Sequence, residues 1–171
     1  MTPQRPTPIP ALARTSALTA LPETRLQFAA LCYRVTKGAP QVLLVTSRGA
    51  GRWILPKGWP MPGTDPAQVA LREAWEEAGV KGMAHDQCLG LYAYRKNGKD
   101  GYPVDCVAYV YPVRVKSLAG NWPEQGQRRR KWLSPAKAAD RLRSPDLVRL
   151  VRQFDPLRLR SQLDFPRPDS M

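Results

Sequence analysis

The sequence predicts an α+β domain in which a mixed β-sheet lies between helices. Three observations carry that expectation. β-rich apolar runs stand on both sides of one strongly marked helix, and further helical segments follow only near the C-terminal end. Hydrophobic residues make up 43% of the 171 residues, enough for a single core in a chain of one-domain length. No apolar run is long enough to span a membrane, so no membrane partner is expected.

In chain order, residues 1–24 are expected to be a disordered segment. Pro3, Pro6, Pro8, Pro10 and Pro22 interrupt any helix there, with Ser, Thr and Ala between them. Arg5 and Arg14, with Ser/Thr and no acid before Glu23, also fit a targeting segment, but the continuous apolar stretch of a secretory signal is missing and the cytoplasm is the expected location. Leu26–Val35 and Gln41–Ser47 have strand composition and are joined by a turn-like Thr36–Pro40 linker. Arg52–Leu55 is a short third strand. Leu55–Gly63 carries prolines and glycines that argue against regular structure. Asp65 is a good N-cap, Pro66 suits the first helical position, Gln68 lies three residues past the cap, and Gly79 suits a left-handed helix end. Val69, Ala70, Ala74 and Ala78 give that helix a small-residue face able to press against a sheet. Gln87–Lys96 and Val104–Val115 are strands around the Asn97–Gly101 turn, and residues 117–127 are a polar loop. Arg128–Leu133 is a short edge strand. Pro135–Leu142, capped by Ser134, and Asp146–Phe154 are helices. Residues 155–171 lose periodicity and form a tail, leaving 25–154 as the folded domain.

Cys32, Cys88 and Cys106 are odd in number and widely spaced, which favours free thiols over a disulfide frame or a zinc site. His85 has no partner at ligand spacing and is expected in a surface turn. The charge balance is more telling. Of the formal +13, residues 26–154 carry 21 Lys+Arg against 10 Asp+Glu, a difference of +11. That excess attracts polyanions, whether nucleic acid, an acidic membrane surface or a heavily phosphorylated small molecule, and composition alone does not choose among them.

Against this basic background, Glu73, Glu76 and Glu77 stand at i, i+3 and i+4 of the marked helix, on one face and one turn apart. They repel one another unless a cation lies between them. A hard divalent ion held by carboxylate oxygens and substrate phosphates suits such a row, with Mg²⁺ the default and Mn²⁺ the alternative. Arg72 can pair with Glu76 and fix its orientation.

Gly58, five residues, Thr64, seven residues, then Arg72-Glu73-Ala74-x-Glu76-Glu77-x-Gly79-Val80 resembles the Nudix box, G-x5-E-x7-R-E-U-x-E-E-x-G-U with U apolar. Thr64 stands where the family carries its first Glu, a residue that supports the loop more than the metal, so activity is expected to be modified rather than lost. The resemblance covers about residues 26–154. It implies a Nudix-type α/β/α sandwich with a central mixed β-sheet and metal-dependent hydrolysis of a phosphoanhydride. Ala29–Arg34, Val42–Ser47, Arg52–Pro56 and Arg128–Leu133 look like the diphosphoinositol polyphosphate phosphohydrolase branch. Pro56-Lys57-Gly58 also occurs in Nudix enzymes acting on dinucleoside polyphosphates.

The resemblance implies Glu73, Glu76 and Glu77 as metal ligands, with Glu76 or Glu77 also able to take the proton of the attacking water. Glu124 and the Gly58 carbonyl are further ligand candidates. Arg25, Arg34, Ser47, Arg48, Arg52, Lys57, Arg128 and Arg130 are candidate phosphate donors, and Arg48–Arg52 resembles a phosphate-gripping turn. Arg95, Lys96 and Lys99 flank another turn. Trp53 and Trp132 are expected in the core, whereas Trp59 can lie beside the ligand. The expected partner is a polyphosphorylated small molecule. A non-catalytic nucleotide- or nucleic-acid-binding module and an RNA 5′-end pyrophosphatase are the alternatives, and the sequence does not fix the oligomeric state.

Overall fold

The computed structural model describes residues 24–159. The expectations for residues 1–23 and for 160–171 fall outside that range. The expected sandwich is present. Strands β1 (Arg25–Thr36), β2 (Ala39–Thr46) and β3 (Trp53–Ile54) lead through β4 (Lys57–Gly58) into helix α1 (Pro66–Ala78). Then come β5 (Val80–Ala84), β6 (Gly90–Asn97), β7 (Pro103–Leu118) and β8 (Arg130–Leu133), followed by α2 (Pro135–Arg141) and α3 (Pro145–Arg152). A 3₁₀ turn at Pro156–Arg158 ends the described chain.

The sheet runs β3-β2-β1-β7-β5, with β1 and β7 parallel and the other pairings antiparallel. Its two central strands each change partner. The start of β1 pairs with β4 at Phe28–Gly58 and its end with β2 at Cys32–Leu43. Likewise β7 pairs with β6 over 103–110 and with β5 over 113–118. The sheet therefore splays at one end, and the opening lies between β4 and β6. β1 is apolar at successive positions because both its faces are covered, as a strand in the middle of such a layer requires. Ala29, Leu31 and Tyr33 face one core, closed by α2 and α3, while Phe28, Ala30 and Cys32 face the other, closed by α1.

The small face of α1 is what the sequence indicated: Val69, Ala70, Ala74 and Ala78 are fully buried. Gly79 ends the helix at φ +66. Asp65 takes the extended N-cap backbone with Pro66 at the first helical position, and its carboxylate accepts no capping bond. Ser134 does cap α2, accepting from the Lys137 N–H.

Two strands differ from expectation. Pro56-Lys57-Gly58 was expected to be irregular, but Lys57–Gly58 adds a two-residue strand to β1. β5 is a bulged edge strand in which Gly82 packs against the Arg114 carbonyl. Its Lys and Gly hide it from composition. His85 is half-buried at the end of β5, hydrogen-bonded to the Tyr33 hydroxyl (3.1 Å), rather than in an exposed turn. Cys32 and Cys106 are buried free thiols. Trp53 and Trp132 sit at the margins of the two cores.

The loop after β7 is strapped to the C-terminal end of α1. Arg130 donates to the carbonyls of Ala78 (2.7 Å) and Ala119 (3.0 Å) and stacks on Trp122 at 3.9 Å. Trp122 donates to the Glu77 carbonyl (3.2 Å), and the Glu124 N–H donates to the Glu76 carbonyl (3.1 Å). These contacts satisfy carbonyls that a helix end leaves without partners and set a cation against its negative pole. Arg130→Ala is expected to lower unfolding stability by about 2 kcal/mol, the scale of charged hydrogen bonds lost from partly buried carbonyls. A urea midpoint equal to that of the native protein would contradict this.

Candidate active site

The opening between β4 and β6 is a cavity of about 480 Å³. α1 contributes Glu73 and Glu77 to it, and β4 with the residue after it contributes Lys57, Gly58 and Trp59. Gln27 enters from β1, Ser47 and Arg48 from the β2–β3 loop, Tyr94 and Lys96 from β6, and Glu124 and Arg128 from the strapped loop. One wall is thus acidic, and Arg48, Lys57, Lys96 and Arg128 bring positive charge to the rest.

Glu77 is the deepest carboxylate, 7% exposed. Its Oε1 lies 3.5 Å from Arg128 Nη2, while its Oε2 is buried without a hydrogen-bond partner. Burial raises its pKa to about 7, and this outweighs the opposing pull of Arg128 and Lys57. Glu73 is also shifted up, first by burial and then by the charges of Glu76 and Glu124. Its carboxyl lies over Gly58, at the spot where any Cβ on that residue would stand. Burial holds the Lys57 ammonium below the usual lysine range, against the attraction of Glu77. That ammonium lies 5.0 Å from the Tyr94 ring centroid.

The candidates named from sequence separate into two groups. Glu73, Glu77, Gly58, Glu124, Ser47, Arg48, Lys57 and Arg128 come together around the cavity. Glu76 does not line it. Its carboxylate accepts from Arg72 Nε (3.1 Å), the expected i,i+4 pair, on the open side of α1. Arg34 is displaced to the β1–β2 hairpin, where it donates to Gln41 (2.7 Å) and stacks on Trp132 at 4.2 Å. Arg130 is consumed in the strap. Arg25 lies beside Trp59, 6.0 Å from its ring, and Arg52 lines a neighbouring cavity.

Arg128 reaches the site, yet it serves the protein's own carboxylates. It donates from Nε to Glu124 (2.6 Å) and from Nη1 to the Thr46 carbonyl (3.1 Å), and its side chain is 8% exposed. The Arg48–Arg52 turn was expected to offer backbone N–H groups to phosphate. Instead the Ala50, Gly51 and Arg52 N–H groups donate within the turn, to the Arg48 carbonyl, the Ser47 carbonyl and Ser47 Oγ.

Lys96 and Trp59, singled out from the sequence beside the assigned set, also line the cavity, whereas Gln27, Ile54 and Tyr94 escaped the sequence reading. Gln27 Oε1 and the Tyr94 hydroxyl are buried and, apart from a loose approach of the Cys106 thiol to the latter, without partners. Gln27 is the one amide in the apolar run Leu26–Tyr33, and that anomaly could have singled it out.

A divalent cation suits this donor set. Glu77 offers an unpartnered buried oxygen, Glu73 a carboxyl held against Gly58, and both shift toward the protonated state that a cation would reverse. Among the described residues no three acidic or metal-binding side chains are gathered in ready coordination spacing, and Arg128 occupies the space between Glu77 and Glu124.

The family model for the NUDIX domain matches residues 25–154. The chain belongs to the Nudix family. Among its relatives, Nudix hydrolase 13, mitochondrial, of Arabidopsis thaliana is 30% identical over 137 residues, 77% of this chain and 66% of that one. Human diphosphoinositol polyphosphate phosphohydrolase 3-alpha is 34% identical over 106 residues, 61% of this chain and 60% of that one. The chain thus spans less than two thirds of the length of these curated relatives. A C. elegans Ap4A hydrolase complex shares the fold at TM-score 0.56 and 23% identity, covering 75% of this chain and 93% of that one. Nudix hydrolases generally use divalent metal ions. In this Nudix domain, the box residues Gly58, Glu73 and Glu77 are those the fold turns into the cavity, while Thr64 lies exposed on the loop, away from it.

Proposed function

We propose that this Nudix domain hydrolyses a phosphoanhydride bond in a polyphosphorylated small molecule. The observation that carries the reading is one cavity joining a buried, half-unpartnered carboxylate to a cationic wall. Glu77 lies on one side, with Lys57, Lys96 and Arg48 facing the same space. The relatedness to a diphosphoinositol polyphosphate phosphohydrolase supports the same reaction class.

Cleaving such a bond asks a nucleophilic water to approach an anion and a phosphate to leave with further negative charge. Lys57 and Lys96 offset the charge of the phosphate chain and orient it, and Arg48, whose Nη1 donates to Gln127 (3.2 Å) and lies 3.5 Å from Glu124, adds its remaining N–H groups. Glu73 and Glu77, with the Gly58 carbonyl, would hold a divalent cation, Mg²⁺ by default and Mn²⁺ as the alternative. That ion lowers the pKa of water and neutralises phosphate oxygens. Glu77, whose Oε2 has no partner in the protein, is the carboxylate placed to take the proton of that water. Arg128 keeps Glu77 and Glu124 in place, and Arg72 keeps Glu76 outside the cavity. Diphosphoinositol polyphosphates and dinucleoside polyphosphates are the two substrate classes this charge pattern supports.

The test is phosphate and nucleotide release from inositol pyrophosphates, diadenosine polyphosphates, nucleoside triphosphates and tripolyphosphate, with Mg²⁺ or Mn²⁺ and with EDTA as control. Metal-dependent turnover of at least one anhydride is expected. A folded, metal-supplied protein that turns over none of them would overturn the reading and leave a binding module.

A further inference from the structure

We propose that Gln27 aims the attacking water: its amide oxygen holds the proton that the water keeps, while Glu77 takes the other. The inference rests on the anhydride-cleaving reading of the cavity and deepens it by naming a residue that orients the nucleophile.

Among the described residues, the buried side-chain oxygens without a hydrogen-bond partner are Gln27 Oε1, Glu77 Oε2 and the Tyr94 hydroxyl. All of these residues line the one cavity of about 480 Å³. Buried polar atoms are ordinarily paired, so unpaired ones gathered in a single space mark a group that enters it.

Gln27 is 4% exposed on β1, next to the Phe28–Gly58 pair that joins β1 to β4. Gly58 is the residue over which the Glu73 carboxyl lies. Side chains alternate along a strand, so Gln27 shares a face with Ala29, whose partner on β4 is Lys57. On its other side Gln27 pairs with Ala108 of β7, and Ala108 pairs with Tyr92 of β6. Tyr94 follows on the same face of β6, its ring centroid 5.0 Å from Lys57 Nζ. The splayed end of the sheet opens this face and the glutamates of α1 onto one space. Strand register, rather than a loop, thus fixes the amide.

Hydrogen-bond character identifies what enters. An amide oxygen and an ionised carboxylate only accept, and so do the oxygens of an ionised phosphate chain. Phosphate therefore cannot satisfy Gln27 Oε1 or Glu77 Oε2, and Lys57 and Lys96 are the donors that suit it. Water brings a proton for each acceptor, and its lone pairs serve the Tyr94 O–H and phosphorus. In the step itself the water oxygen bonds to phosphorus, and the bridging P–O bond breaks, its electron pair leaving with the departing phosphate. One water proton passes to Glu77 Oε2. The other stays on the newly formed phosphate, held at Gln27 Oε1 while the bond forms.

Gln27→Met removes the acceptor at nearly constant volume. Methanol supplies the discriminating nucleophile, since its single O–H proton goes to Glu77 and needs no second acceptor. Cleavage of tripolyphosphate and diadenosine tetraphosphate would be followed in dilute methanol by phosphorus NMR, which separates methylated from hydrolysed product. For Gln27→Met the expected hydrolytic kcat is lower by about a hundredfold, the cost of a misplaced reacting group, with KM near native. The ratio of methanolysis to hydrolysis is expected to rise severalfold over the native protein. Packing damage alone would lower both products alike, so an unchanged ratio overturns the proposal. Native kcat also overturns it, as does a raised KM with unchanged kcat, which would make Gln27 a substrate contact.

A crystal structure of the metal-free protein gives a readout independent of turnover. An ordered water within hydrogen-bond reach of both Gln27 Oε1 and Glu77 Oε2 is expected, and is expected to be lost in Gln27→Met. Its absence from the native protein sinks the water seat even if anhydrides are cleaved. Its presence in a protein that cleaves neither compound upholds the seat and overturns its part in attack.

Discussion

Replacing Glu77 with Gln is expected to lower kcat by about a thousandfold or more while leaving the protein folded, within the range seen when a positioned acid–base group is lost. The two side chains have nearly the same volume, so the core around α1 is undisturbed. What disappears is the negative charge at the deepest point of the cavity and the acceptor that Oε2 offers there. Stability supplies a separate signature. In metal-free protein the folded-state pKa of Glu77 is about 7 against an ordinary 4.5. As pH rises from 4.5, the unfolded chain releases this proton first, whereas the fold retains it until about 7. The associated stability is therefore present in full below pH 4.5 and lost as pH climbs through 7. Glu77→Gln, permanently neutral, should flatten that fall in the urea midpoint measured in EDTA, leaving the slope from Glu73, which shifts in the same direction, and that of His85, whose lowered pKa acts in the opposite sense. A variant with native kcat would remove Glu77 from the chemistry. A variant with unchanged pH slope would show that its carboxyl is not desolvated.

α1 was legible because its information is local. The small face, the proline and glycine at its ends, and the i, i+3, i+4 glutamates all lie within 15 residues. The same spacing could not say which of three carboxylates turn inward. Glu73 and Glu77 do, and Glu76 does not, because the splayed sheet lies on one side of that face and Arg72 draws Glu76 to the other. The cationic wall was less legible still. Arg34, Arg128 and Arg130 looked alike as basic residues near strand ends, but each is consumed by a partner distant in sequence or by its own loop. Gln27 and Tyr94 are 67 residues apart, and only the pairing of β1 and β6 on opposite sides of β7 brings them to one cavity. Long-range register of this kind is not written in composition or periodicity. β4 and β5 were lost for a related reason: each is too short, and too rich in Lys and Gly, to show alternation.

Gly58→Ala is expected to reduce kcat/KM by about a hundredfold, with stability changed by no more than about 1 kcal/mol. Gly58 does not have a positive φ, so alanine can adopt its backbone conformation and can keep the β4 pairing to Phe28. The obstacle is space: an added Cβ would coincide with the Glu73 carboxyl. That carboxyl is the end of a flexible side chain, so it would swing aside rather than force the strand out. The fold survives, and the cavity loses one of the two glutamates that α1 turns inward while Glu77 stays where it is. Gly120→Ala is the matched control, since nothing lies within 4 Å of its added Cβ and its φ is also not positive, and it should leave both activity and stability at native values. If Gly58→Ala turned over substrate as fast as that control, the close approach of backbone to Glu73 would have no part in catalysis. If it unfolded instead, Gly58 would be a packing residue of the β1–β4 pair rather than a feature of the site.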